Sequence, residues 1–257
     1  MMTNIKISLQ YDGSDYYGWQ VQGRDLPEKK TLNIHSRATI QGELERVLKK
    51  IFQKDIKVTG ASRTDAGTHA IGQTANFFMD GKMPIKVLMY SMNSMLPKDI
   101  SISHMVKADK TFDARYDAKS KLYEYSILNQ KWHAVLNRHY YWHIRTGLDW
   151  DKIKKVCDYF PGKHNFSAFE SSGSPRKRQD CNIIRFEIKK KRNLYKIRIE
   201  SDYFLYKMVR NIVGMLVQVG KGNRAPEHIK EVLRTGKNKV EYETAPSKGL
   251  CLIKVKY

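Results

Sequence analysis

Asp65 is the residue of this sequence best placed to do covalent or acid–base chemistry. It lies in Ala61-Ser62-Arg63-Thr64-Asp65-Ala66-Gly67-Thr68-His69-Ala70, with an arginine two positions before it and a glycine two positions after. Small side chains let a substrate approach the backbone closely, and a carboxylate held there can act as nucleophile or base. The same residue types also make an ordinary turn in which the aspartate caps a local N–H. A second cluster, Lys121-Leu122-Tyr123-Glu124-Tyr125, sets aromatic rings beside a cation. That combination holds an unpaired base by stacking, although two tyrosines on the covered face of a strand give the same pattern. In Phe204 to Asn211, Arg210 falls off an apolar helical stripe. It is a candidate partner for a carboxylate, or a plain surface arginine worth little to stability. Arg176-Lys177-Arg178 and Lys189 to Arg192 are candidate phosphate contacts or solvated turns. His69 and His164 lack ligand-like spacing, and Gly220-Lys221-Gly222 follows a helix rather than a strand. Neither a metal site nor a phosphate-binding loop is therefore expected.

Periodicity supplies the elements that must position these residues. Ile5, Ile7, Leu9 and Tyr11 alternate with polar residues as a half-buried strand does. Thr39 is placed to cap a helix whose apolar face is Ile40, Leu44, Val47, Leu48, Ile51 and Phe52. Strands are expected at 56–59, 73–78, 100–106, 122–128, 183–188, 194–199 and 252–257, with the basic residues 189–192 as a hairpin turn. Further helices are expected after Pro84, over 150–160, over 205–219 and over 226–233. Residues 21–38 read as a long polar loop. Helices between strands that pair as hairpins favour an α+β fold with a mostly antiparallel sheet.

The chain has 257 residues, 41% of them hydrophobic and 28% charged, which is enough to bury a substantial core. With 47 Lys and Arg against 26 Asp and Glu, its formal charge is +21. That surplus points to a polyanionic partner, although 32 of the 47 cations are lysines that can simply face water. Three cysteines without a C-x-x-C pair argue against a disulfide framework and for a reducing compartment. Met1 to Leu9 has no apolar core of a signal peptide, and the longest apolar stretch, Ile212 to Val219, is too short to span a bilayer.

Taken in order, Tyr11-Asp12-Gly13, Tyr17-Gly18-Trp19-Gln20, Thr39-Ile40-Gln41, the segment Arg63 to Ala70, Phe112-Asp113-Ala114-Arg115, Lys121 to Tyr125, Met208-Val209-Arg210-Asn211 and Ala245-Pro246 with Gly249-Leu250 run through nearly the whole chain. This series resembles the TruA family of tRNA pseudouridine synthases. The resemblance implies two ferredoxin-like halves, 1–110 and 111–257, around a central mostly antiparallel sheet with flanking helices and the active-site cleft between them. It implies a cytoplasmic homodimer that binds tRNA and converts uridine to pseudouridine in the anticodon stem-loop without cofactor or metal. On that likeness Asp65 is the essential aspartate, acting either by attack on the sugar or by removing a sugar proton. Tyr123 stacks on the target uracil, Arg210 pairs with the aspartate, and Arg63 helps hold the flipped nucleotide. Arg115, Arg176, Lys177 and Arg178 are expected RNA contacts. The sequence departs from the family pattern at Ser62, where glycine is usual, at Asp113, where histidine is usual, and at Glu170, where arginine is frequent. The long 21–38 loop is an expected RNA-contacting or dimer-edge element. The alternative is a non-catalytic tRNA-binding or RNA-chaperone protein of the same architecture.

Overall fold

The computed structural model describes residues 2–21, 38–81, 83–171, 179–237 and 243–257. Most of the expected 21–38 loop, and Arg176, Lys177 and Arg178, lie outside the described residues. The chain divides into two units, Met1–Ala118 with Leu252–Tyr257, and Lys119–Cys251.

The first unit contains β1 (Thr3–Tyr11), α1 (Ile40–Phe52), β2 (Val58–Gly60), β3 (His69–Met79), α2 (Ile85–Met95) and β4 (Ile100–Ala108). β1 lies between β4 and β3, antiparallel to both, and β2 pairs antiparallel with β3. The β-α-β-β-α-β order with strands in the sequence β4-β1-β3-β2 is a ferredoxin-like arrangement. Ile5, Ile7 and Leu9 are wholly buried, as the period-2 pattern requires. The Thr39 side chain accepts from the Gly42 N–H at 3.1 Å, and Ile40, Leu44, Val47 and Leu48 form the buried face of α1.

The second unit holds β5 (Ser120–Asn129), β6 (Trp142–Ile144), α3 (Trp150–Cys157), β7 (Gly162–Asn165), β8 (Asp180–Lys191), β9 (Leu194–Ser201), α4 (Met208–Gly220) and α5 (Pro226–Thr235). β5, β9, β8 and β7 run antiparallel in that order, and β6 pairs parallel with β5. The element order departs from that of the first unit by the added β6, β7 and α5, and the last strand, β10 (Leu250–Lys256), follows α4 and α5. Its residues from Leu252 on belong to the first unit, where it lies beside β3.

Two expected boundaries are corrected. The helix expected from Leu205 begins at Met208, because Lys207 is left-handed (φ 59) and a right-handed helix cannot run through it. The basic residues 189–191 belong to β8, and the hairpin turns at Arg192-Asn193, where Arg192 takes φ 54. Among the described residues no helix is long and apolar enough to cross a membrane.

Candidate active site

Asp65 opens a four-residue turn. The Thr68 N–H donates to the Asp65 carbonyl at 3.1 Å, and Gly67, third in the turn, has φ +75. Only glycine takes that conformation without strain, which is why it stands two places after the aspartate. On the upstream side the Thr64 carbonyl accepts the Trp19 N–H at 3.0 Å, and the Thr64 hydroxyl lies 2.8 Å from Tyr11 Oη. On the downstream side the Gly67 N–H donates to the Tyr16 carbonyl at 3.2 Å. The Asp65 side chain is half-buried and Arg63 is exposed.

Ser62, the first departure, is tolerated because its backbone is not left-handed. It is held by Gln73, whose Nε2 donates to the Ser62 carbonyl at 2.7 Å and whose Oε1 accepts the Ser62 N–H at 3.2 Å. His69 is buried and its Nδ1 accepts the Gly13 N–H at 3.1 Å. Its place is in the loop's framework, and among the described residues no group of three or more His, Cys, Asp or Glu is placed to hold a metal ion.

In the second unit Tyr123 stands on β5, 6% exposed, with the Phe204 ring edge-on at 5.0 Å. Arg210 lies in the first turn of α4 and is half-buried. Its Nε donates to the Ala245 carbonyl at 2.7 Å, and the Ala245 N–H donates back to the Arg210 carbonyl at 3.2 Å. The segment that follows holds Tyr125. The Tyr125 hydroxyl donates to the Pro246 carbonyl at 2.7 Å, and a Cβ at Gly249 would meet the Tyr125 ring at 2.6 Å. Burial raises the Tyr125 phenol well above its ordinary range, so it stays a donor. Asn211, 3% exposed, donates to the Phe169 carbonyl at 2.8 Å and accepts from the Thr244 hydroxyl at 2.8 Å.

Between the two tyrosines, Glu124 is buried and bonded to Lys196 Nζ at 2.6 Å and Arg198 Nε at 2.7 Å. Burial opposes ionisation of this carboxyl, but the two cations outweigh it and hold the group below the usual carboxylate range. Reading Tyr123 and Tyr125 as a stacking pair misses this ion triad, because strand alternation gives no sign that the residue between them is covered.

The Arg115 guanidinium lies 5.3 Å from the Tyr116 ring, and the Arg115 N–H donates to Asp113 Oδ1 at 2.7 Å. Asp113, the second departure, thus caps a local turn, which histidine cannot do in the same way. Lys189 to Arg192 are exposed. Glu170, the third departure, is half-buried, with Oε1 enclosed and unbonded among the described residues.

A family model described as tRNA pseudouridine synthase matches residues 7–117 and 156–257. That match takes in Asp65, Arg63, Arg115 and Arg210, and it places the α+β fold in the pseudouridine synthase class. Among curated relatives, tRNA pseudouridine synthase A 2 of Clostridium perfringens is 40% identical over 256 residues, covering 100% of each chain. tRNA pseudouridine synthase A of Acetivibrio thermocellus and that of a Thermoanaerobacter species are each 38% identical with the same coverage. The chain belongs to the TruA family of tRNA pseudouridine synthases.

Proposed function

We propose that this enzyme isomerises uridine to pseudouridine in the anticodon stem-loop of tRNA, and that Asp65 is its essential catalytic group. The observation that carries this reading is the Asp65 turn: a carboxylate in the family's Arg-Thr-Asp-Ala-Gly sequence, with its neighbours on both sides fixed by hydrogen bonds. The N1–C1′ bond of the nucleotide breaks, the base turns, and a C5–C1′ bond forms. The C5 hydrogen leaves as a proton and N1 gains one, so the product is an isomer and no redox partner is needed. Asp65 either attacks C1′ or removes the C2′ proton. In this reading Tyr123 supplies a ring face for the detached uracil and Arg210 supplies the counter-charge for the carboxylate. Arg63 holds the nucleotide out of the helix, whose unstacking costs a few kcal/mol.

The +21 formal charge supports a tRNA partner. Catalysis here proceeds without metal or cofactor, and the enzyme works in the cytoplasm as a homodimer. In support of the dimer, the connection between β5 and β6 exposes Trp132 by 72% and Leu136 by 81%. That connection is ordered from within: the Tyr141 hydroxyl donates to the Ala134 carbonyl at 2.9 Å and to that of Leu136 at 3.3 Å. A held crest of aliphatic and aromatic side chains suits a second protein copy.

The test is tritium release from tRNA labelled at uridine C5, with wild type beside Asp65→Asn. Release by wild type alone is expected. Release by both, or by neither, removes Asp65 from its role. Deuterium at C2′ then separates the two routes, since proton removal from C2′ shows a primary isotope effect and attack on C1′ does not.

A further inference from the structure

The segment from Tyr16 to Trp19 forms a brace for the Asp65 turn. Gly18 takes φ +82, and a Cβ there would lie 2.3 Å from the Thr64 carbonyl oxygen, 2.9 Å from the Asp65 carbonyl carbon and 3.1 Å from the Ala66 nitrogen. The backbone of Gly18 is therefore flush against the backbone that bears the carboxylate. On one side of this contact Trp19 donates to Thr64, and on the other Tyr16 accepts from Gly67. These contacts of the brace with residues 64–67 are main chain to main chain.

The brace is held by main-chain bonds to the start of α1, where the Ile40 and Gln41 N–H groups donate to the Gly18 and Trp19 carbonyls at 3.1 and 3.0 Å, and by the Tyr16 side chain. This side chain is 6% exposed, and its hydroxyl donates to Asp99 Oδ1 at 2.6 Å, the short distance of a hydrogen bond to a charged acceptor. Asp99 also binds the start of the segment, since its carbonyl accepts the Asp12 N–H at 2.9 Å. Burial first, and the Asp99 carboxylate second, raise the Tyr16 phenol above its ordinary range, so the proton stays in this bond across any working pH.

We infer that Tyr16, Gly18 and Asp99 are positioning residues, which hold the Asp65 carboxylate in its reactive place through the Tyr16–Trp19 backbone. This rests on the assignment of Asp65 above. The reacting atoms must be held to a fraction of an ångström, and a displacement of about 1 Å can cost on the order of 100-fold in rate.

The experiment is single-turnover tritium release at saturating tRNA, with tRNA Kd and melting temperature measured on the same preparations. The variants are Gly18→Ala, Tyr16→Phe, Asp99→Ala and Asp99→Asn. Gly18→Ala is expected to slow the saturated rate on the order of 100-fold, with Kd within about 2-fold of wild type because no phosphate contact is lost. Tyr16→Phe and Asp99→Ala are expected to slow it about 10-fold each, by the same displacement argument on a smaller scale. Asp99→Asn keeps an acceptor for the Tyr16 hydroxyl and is expected to restore most of the rate. A merely structural role moves the melting temperature in all four and leaves the saturated rate of the folded fraction alone. That result overturns the inference, and so does Tyr16→Phe at full speed. Where Gly18→Ala does not fold, the Asp99→Ala and Asp99→Asn pair decides. Wild-type activity with a dead Asp65→Asn and a full-speed Tyr16→Phe refutes the brace and leaves Asp65 standing. Activity in Asp65→Asn refutes both.

Discussion

Asp65 stands on a turn whose neighbours are held by main-chain hydrogen bonds, whereas Tyr123 and Arg210 stand on a strand and a helix held by side chains. At the turn, carbonyls and N–H groups of Tyr16, Trp19, Thr64 and Gly67 meet directly, and glycines allow the approach. In the second unit, Arg210 grips the Ala245 carbonyl, the Tyr125 hydroxyl grips that of Pro246, and Glu124 anchors β5 through two cations. The difference has a physical root. A turn has no internal ladder to hold it, so its geometry must come from outside. A strand or helix already has its backbone bonds, and only its side chains remain to be aimed. The first region should therefore respond chiefly to added bulk on the backbone, and the second chiefly to loss of a donor or a charge.

The largest effect expected is at the turn itself. Asp65→Asn preserves shape and every main-chain bond, so stability should hold while the single-turnover rate falls by a factor on the order of 1,000 or more. Equal melting curves with unequal tritium release would confirm that separation. In the second region Arg210→Lys keeps the charge but loses the planar Nε donor to Ala245. A rate loss on the order of 100-fold is expected, the scale for removing one fixed electrostatic partner. Arg210→Lys at wild-type rate would show that charge alone suffices there. Gly249→Ala drives a methyl into the Tyr125 ring, and overpacking of that kind costs about 2 kcal/mol, read as a lower urea midpoint. A smaller consequence is expected for assembly: on the proposed dimer contact, wild type should sediment as a dimer and Leu136→Asp as a monomer in analytical ultracentrifugation. A dimer unaffected by this change would move the interface elsewhere.

The local half of this architecture is visible in the sequence and the long-range half is not. Thr39 announces α1, Pro226 and Gly236 bracket α5, and the alternation of β1 is plain, because each signal lies within one element. The start of α4 is misread because Leu205 continues the apolar stripe, and a stripe does not report that Lys207 is left-handed. β6 has only three residues, too few for a period. The return of Leu252–Tyr257 to the first unit depends on pairing with β3, remote in sequence. For the site the pattern is the same. Asp65, Tyr123 and Arg210 are legible as motif residues. The contacts that aim them, Gly18 on Thr64, Asp99 on Tyr16 and Ala245 on Arg210, join segments 35 to 83 residues apart.

The smallest effect expected tests the side-chain half of the comparison by pH. Glu124 has its folded pKa depressed, so its ion triad contributes stability above the ordinary carboxylate range. That contribution is lost as pH falls through the depressed folded value, where the carboxyl takes up a proton. Lys196 and Arg198 are 41% and 27% exposed at their side chains, so solvent screening reduces the gain to about 1 kcal/mol. Glu124→Gln keeps the shape and removes the charge. Its urea midpoint should lie below that of wild type at pH 7, and the gap should close as the pH is lowered, because a protonated glutamic acid and a glutamine amide at this position are then nearly alike. The Gly18→Ala defect is a steric clash with the Thr64 carbonyl and involves no titrating group of β5, so it should not follow the protonation of Glu124. A gap for Glu124→Gln that persists unchanged into acid would mean that β5 is held by packing and not by its cations.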